Sequence, residues 1–209
     1  MTREKSIIYA ARCVSLVFTP FYLPLLGLAA LFSFSYLNLL PIEYRLTVLL
    51  LVYFFTILLP TFLIHLYRRA QGWTLIELGQ KRRRMVPYAI SILCYLTCIW
   101  LMQRLHIYHF VPIILIAALL IQMVCALINV WWKISTHMAG IGGVTGALII
   151  FSERFSFNPV WWLCLVLVLA GVLGTARMIL RQHSLAQVLC GYAVGLVCAF
   201  FGINYLMSI

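Results

Sequence analysis

The chain has 209 residues, of which 65% are hydrophobic and only 9% are charged, and its formal net charge is +11. An ordinary soluble domain carries about 25% charged residues, so this composition excludes a soluble fold and indicates lipid as the solvent. The apolar residues run in long continuous stretches, whereas membrane barrels use segments of about ten residues that alternate apolar and polar positions. We therefore predict an all-α, polytopic transmembrane helical bundle of about six or seven spans, in one domain over residues 1–209.

The predicted elements begin with segment 6–19, which is moderately apolar, is interrupted by Arg12 and closes at Pro20. It is predicted either as an interfacial helix or as the start of a long first span. Apolar stretches that are candidates to cross a bilayer then follow at 21–40, 46–66, 88–103, 110–131, 138–152, 160–175 and 185–207. Between the second and third of them lies a long polar stretch, which ends in the basic run Lys81 to Arg84.

Two small-residue patterns lie in the later spans. Gly142 and Gly146 stand four residues apart in the fifth, and Gly191 and Gly195 stand four residues apart in the last. Small residues at this spacing let the backbones of membrane helices approach closely. Both patterns therefore predict helix packing.

Counting spans brings three polar segments together. Two predicted spans separate the basic run 81–84 from segment 133–137, and two more separate that segment from 177–183. An even number of crossings returns the chain to the same face of the membrane. The three segments should therefore gather on one face, where they supply arginines, lysines, two histidines and a serine.

The charges of these segments point to an anionic ligand. The chain has 15 Lys and Arg residues but only 4 acidic ones, all glutamate, so the cations have few internal partners. Magnesium and calcium sites need carboxylate oxygens, so the sequence argues against a metal-dependent diphosphate mechanism. The basic residues sit in short gaps between apolar runs, which favours phosphate and lipid headgroups over nucleic acid.

Three short patterns resemble the signatures of the type 2 phosphatidic acid phosphatase superfamily. Arg177-x5-His183-x3-Gln187, with Gly191 after it, is similar to the third signature, Ser-Arg-x5-His-x3-Asp. Ser135-Thr-His137 is similar to the second, Pro-Ser-Gly-His, and the basic run before Pro87 to the first, Lys-x6-Arg-Pro. The resemblance covers about 81–191.

The resemblance implies a role for each matching residue. His183 would attack the phosphorus and form a phosphohistidine, and His137 would protonate the departing oxygen. The phosphoryl oxygens would be held by the remaining matches, Ser135, Arg177, Lys81 and Arg84. Members of this family need no metal and no cofactor.

The chain departs from the family pattern at several positions. The smaller differences are Ile134 and Thr136 in the second signature, Ala176 in the third, and Val86 before Pro87 in the first. The largest is Gln187, which replaces the aspartate that would orient His183 and stabilise its positive form. An amide oxygen one helical turn away retains the orientation but lacks the charge.

These patterns predict a membrane phosphatase that acts on a lipid phosphate monoester or diphosphate, of the phosphatidic acid, phosphatidylglycerophosphate, polyprenyl diphosphate or lipid A type. One alternative is a catalytically degenerate relative that binds or transports anionic lipid. A prenyl-transferring enzyme ranks last, because such enzymes need aspartate-rich metal sites and the chain has no aspartate. We expect a bacterial inner-membrane location, with the active face cytoplasmic by charge count and periplasmic as the alternative.

Overall fold

The computed structural model describes residues 3–34, 36–72 and 85–208. These residues form eight α-helices, and none of them lies in a β-strand, which confirms the predicted all-α bundle. In chain order the helices are α1 (Arg3–Val17), α2 (Leu23–Phe34), α3 (Ile42–Ala70), α4 (Met85–Arg104), α5 (Phe110–Trp131), α6 (Thr136–Arg154), α7 (Val160–Ile179) and α8 (Leu185–Ser208).

Five of these helices are long and apolar enough to cross a membrane: α3, α4, α5, α7 and α8. They contain the predicted spans 46–66, 88–103, 110–131, 160–175 and 185–207. The helix around the predicted span 138–152 is α6, which has 19 residues. It is rich in glycine and lies largely buried among its neighbours. The described part of the chain therefore has the architecture expected of an integral membrane protein.

The first predicted span, 21–40, does not form one continuous helix. Helix α2 has 12 residues and is therefore about 18 Å long, and a short 3-10 helix, Tyr36–Leu39, follows it. Ser33 donates a hydrogen bond back to the Ala29 carbonyl at 2.8 Å, an interaction that bends helix ends. Pro41 then prevents the helix from continuing, because it has no N–H to donate.

Helix α1 ends before α2 begins, so segment 6–19 is not the start of a long first span. The two helices are joined by a turn around Pro20. Helix α1 packs against α7 through buried and half-buried positions with the spacing of one helix face, which are Ala11, Val14, Ser15 and Phe18. This contact carries the end of α1 to the carboxyl end of α7.

The closest helix pair is α6 and α8, and the predicted glycine patterns lie between them. A Cβ atom on Gly142 or Gly146 would meet the backbone of α8, and one on Gly195 would meet the backbone of α6. Neither backbone has room to yield, so glycine is required at this contact. The contact fixes the two helices whose amino-terminal ends carry the second and third signatures.

Candidate active site

The second and third signatures contact each other through their main chains. The backbone N–H of Ser135 donates to the Gln187 carbonyl at 3.3 Å. One turn further along α8, a Cβ atom on Gly191 would lie 2.5 Å from the Ser135 carbonyl oxygen. The absence of a side chain at Gly191 therefore lets the amino-terminal ends of α6 and α8 lie side by side.

Ser135 occupies the N-cap position of α6, but its hydroxyl does not cap the helix. The side chain is fully buried, and the segment before it is held by Asn129. The amide of Asn129 accepts the Ile134 N–H at 3.3 Å and donates to the Tyr88 hydroxyl at 2.7 Å. These bonds fix the Ser135 backbone while its hydroxyl remains without a partner among the described residues.

The carboxyl end of α7 carries Arg177 and closes in a Schellman-type turn. The Gln182 N–H donates to the Arg177 carbonyl at 3.1 Å, and the Arg181 N–H donates to the Met178 carbonyl at 2.9 Å. Arg181 adopts a φ of 51°, a left-handed conformation that usually favours glycine at this position. The turn reverses the chain and leads directly to His183.

His183 and Gln187 face each other across the first turn of α8. The Nδ1 atom of His183 lies 3.3 Å from the Gln187 amide oxygen. The same oxygen accepts the Ser184 N–H at 3.1 Å, and the Ser184 hydroxyl accepts the Gln187 N–H at 3.4 Å. Ser184 and Gln187 thus form a capping box, and Gln187 both caps α8 and orients His183.

His137 lies in the first turn of α6, outside the five helices that are long and apolar enough to cross a membrane. Burial, assisted by the neighbouring Arg177 cation, lowers the pKa of His137 to about 3, and His183 contributes in the same direction. The backbone carbonyl of Ser15 opposes this effect by accepting a hydrogen bond from the imidazole ring. These interactions place His137, Arg177 and His183 within electrostatic range of one another.

Three buried polar atoms of this cluster have no hydrogen-bond partner among the described residues. They are the Ser135 hydroxyl, the Nδ1 atom of His137 and the Nε atom of Arg177. Buried polar groups are normally satisfied, and each exception requires an explanation. All three belong to signature residues. The Ser135 hydroxyl and the Arg177 Nε–H group can donate to phosphoryl oxygens, and His137 Nδ1 can do so once the ring is protonated.

An apolar cavity of about 480 Å³ lies beside this cluster, and His137 is the cluster residue that lines it. Most of its wall is apolar and comes from α2, α4, α5 and α6, with a few polar side chains such as Thr136 among them. Gly27 of α2 forms part of that wall. The volume lies within the range of small-molecule sites, about 300–1,000 Å³.

The structure brings together five of the seven residues that the sequence predicts for the site: Ser135, His137, Arg177, His183 and Gln187. Lys81 and Arg84 lie outside the described residues, as does the rest of the predicted basic run. The roles of all seven in binding or catalysis stay predictions.

Sequence reasoning missed three residues that support the site. The Ser-x-x-Gln spacing of Ser184 and Gln187 is a recognisable capping box and could have been found. Asn129 and Ser15 carry no such signal, because neither belongs to a recognisable local motif. Ser15 matters most, since its hydroxyl accepts a hydrogen bond from Arg177 at 2.6 Å.

In a comparison with protein families, residues 131–208 fit the family model of the PAP2 superfamily. Searches of curated proteins and of solved structures returned no significant match. The matched region begins just before the second signature and includes all of the third. The resemblance seen in the sequence is thereby confirmed over this region, where residues 131–208 match the PAP2 superfamily model.

Proposed function

We propose that this protein is a membrane phosphatase that releases phosphate from a lipid phosphate monoester or diphosphate. PAP2 superfamily proteins are generally phosphatases, which supports activity on phosphate esters. The observation that carries the proposal is the set of unpartnered buried polar atoms on Ser135, His137 and Arg177. A phosphoryl group is the ligand that best satisfies all three.

Two helix ends support the same proposal. The amino-terminal ends of α6 and α8 lie together at the cluster, and each carries a partial positive charge from its unpaired N–H groups. Helix amino-terminal ends bind phosphate for this reason. Arg177 adds a full positive charge, and Lys81 and Arg84 are proposed to add theirs from the first signature.

The proposed reaction has two steps, and His183 is the nucleophile in the first. Its Nε2 lone pair attacks the phosphorus as the bond from phosphorus to the lipid oxygen breaks, and His137 donates a proton to that oxygen. In the second step, His137 takes a proton from a water molecule as that water attacks the phosphohistidine, the P–N bond breaks, and inorganic phosphate leaves with His183 and the protonated His137 regenerated. The Gln187 amide oxygen accepts a hydrogen bond from the Nδ1–H group of His183, which leaves the Nε2 lone pair for the attack.

Binding of the substrate prepares His137 for this role. In the unliganded site the pKa of His137 is about 3 because of burial and the Arg177 cation, so the ring is neutral near pH 7. A phosphate dianion brings negative charge beside the ring and raises that pKa. The acid therefore forms when the substrate is present, and the proton it takes up is the one delivered to the leaving oxygen.

The cavity supports a substrate with a long hydrocarbon chain. His137 lines the cavity and most of the cavity wall is apolar, so a phosphate held at the cluster could extend its attached chain into the bundle. Burial of each methylene group contributes about 0.8 kcal/mol. The free energy of burying a long chain favours lipid phosphates over water-soluble phosphate esters. The candidates are lipids of the phosphatidic acid, phosphatidylglycerophosphate, polyprenyl diphosphate and lipid A types.

The test is phosphate release by the detergent-solubilised protein across that lipid panel, with EDTA present. We expect wild-type turnover, and we expect His183→Ala to lose it, whereas His109→Ala, which changes an exposed histidine outside the cluster, should retain it. A phosphate label trapped in the wild type should be acid-labile and base-stable, as expected of a phosphohistidine. Equal turnover in the His183 and His109 variants would refute the assigned nucleophile.

The second candidate is a degenerate relative that binds or transports anionic lipid, and Gln187 is the observation that favours it. A neutral amide cannot stabilise a positive imidazole as a carboxylate does. Lipid phosphate binding without turnover, unchanged by Gln187→Asp, would support this candidate against the phosphatase.

The charge distribution supports a cytoplasmic active face in a bacterial inner membrane, with the periplasmic face as the alternative. Gln182 is exposed in the turn beside the site. A cysteine introduced there should react with a membrane-impermeant maleimide only after the cells are opened. Labelling of intact spheroplasts at that position would place the site in the periplasm instead.

A further inference from the structure

A residue outside the family-matched region contacts the arginine of the third signature. Ser15 lies near the end of α1, far from residues 131–208 in the sequence, and is only 8% exposed. The Nη1 atom of Arg177 donates to its hydroxyl oxygen at 2.6 Å. In addition, the Ser15 backbone carbonyl accepts a hydrogen bond from the His137 ring. One residue of α1 therefore contacts two signature side chains.

The chemistry of this contact differs from that of an ordinary structural ion pair. A buried arginine is usually neutralised by a carboxylate, but the partner that Arg177 has in the described part of the chain is a neutral hydroxyl. A hydroxyl fixes the position of the guanidinium group and leaves its positive charge uncompensated. The Nε atom of Arg177 is buried and has no partner among the described residues, so a second hydrogen-bonding position on the same group remains for a ligand.

We propose that Ser15 is a positioning residue, which holds the Arg177 guanidinium in place for a phosphoryl group without neutralising it. The proposal rests on the proposed function in that it takes phosphate as the ligand. Helix α1 is then part of the site, and the packing of Ala11, Val14 and Phe18 around Ser15 sets where Arg177 stands.

The test measures the affinity of purified, detergent-solubilised protein for inorganic phosphate, from the ligand concentration dependence of thermal stabilisation. Ser15→Ala removes the acceptor and should weaken phosphate binding by about tenfold to a hundredfold. Ser33→Ala is the matched control, because the Ser33 hydroxyl is exposed and bonds only within its own helix. It should bind phosphate as the wild type does.

Ser15→Asp separates positioning from simple structural support. A carboxylate would hold Arg177 more strongly, so the unliganded protein should be at least as stable as the wild type. Its charge would also cancel that of Arg177 and repel phosphate, so binding should fall below that of Ser15→Ala. A purely structural hydrogen bond predicts no such opposition between stability and affinity.

Combining Ser15→Ala with Arg177→Ala completes the test. If Ser15 acts through Arg177, its substitution should have little further effect on affinity once Arg177 is absent. The proposal is overturned if Ser15→Ala binds phosphate as tightly as Ser33→Ala, if the two effects add fully, or if wild-type phosphate binding does not depend on Arg177. Phosphate binding with the expected cycle but no lipid turnover would instead refute the phosphatase and leave the role of Ser15 intact.

Discussion

Substitution of Gly27 by leucine should identify the cavity as the site of the substrate's hydrocarbon chain. Gly27 lines the cavity from α2, and a Cβ atom built on it meets no other heavy atom within 4 Å. A leucine side chain therefore has space to enter. Leucine is also a better helix former than glycine, so the substitution should not weaken α2 itself.

The size of the effect follows from the carbon atoms that leucine adds. Its four side-chain carbons would displace about four methylene groups of a bound chain, each of which contributes about 0.8 kcal/mol on burial. The loss is about 3 kcal/mol, which corresponds to about a 200-fold decrease in kcat/KM. A chain that bends around the leucine would lose less, so about tenfold is the smallest effect that fits the reasoning.

The assay compares a long-chain phosphatidic acid with a short-chain phosphate ester that does not reach Gly27. We expect Gly27→Leu to raise KM for the long-chain substrate and to leave the short-chain substrate unchanged. Gly171→Leu is the matched control, because Gly171 also has open space around its Cβ position but does not line the cavity. Equal kinetics of the two leucine variants on the long-chain substrate would refute the cavity as the chain site.

Three further predictions follow from other parts of the structure. Gly195→Ala places a methyl group against the backbone of α6 and should lower the free energy of unfolding by about 1–3 kcal/mol. Thermal unfolding in detergent measures this change, and the control Gly171→Ala should leave the free energy of unfolding unchanged. Gln187→Asp supplies a charge beside His183 and should raise kcat by about tenfold or more, because a carboxylate stabilises the imidazole as it becomes positive. A decrease would show that capping dominates at this position. The pKa of His137 is lowered from 6.5 to about 3 in the folded state, so the unfolded state binds more protons between these two pH values. Stability should therefore be lost as the pH falls below about 6.5. His137→Gln should flatten the pH dependence of the melting temperature.

The sequence was sufficient to predict most of the bundle, because long apolar runs and their breaks are local signals. The bounds of α5 and α8 differ from the predicted spans by at most one residue. The meeting of Ser135 and His137 with Arg177 and His183 also followed from counting spans. Counting spans requires only the number of membrane crossings between two segments, and the apolar runs of the sequence supply that number.

Features that depend on packing between distant segments could not be predicted. The run 21–40 reads as one span, yet α2 ends at Phe34 because short-range polar bonds and Pro41 compete with helix extension. Ser15 belongs to no local motif, and its hydroxyl acquires a role only when α1 packs against α7 and meets Arg177. No local pattern encodes a partner that is 162 residues away.

Gln187 is the residue on which the catalytic proposal depends most, and its geometry explains why a glutamine can occupy the position. Its single amide oxygen contacts both the Ser184 N–H and His183 Nδ1, so helix capping and imidazole orientation share one acceptor. An acceptor beside Nδ1 favours the imidazole tautomer with its hydrogen on Nδ1. In that tautomer Nε2 has a free lone pair, as a nucleophile requires. An aspartate would provide two oxygens for these two donors and a negative charge as the imidazole becomes positive. The glutamine therefore preserves the geometry of attack but gives up electrostatic stabilisation, and restoring the carboxylate should change the rate of the chemical step more than the binding of phosphate.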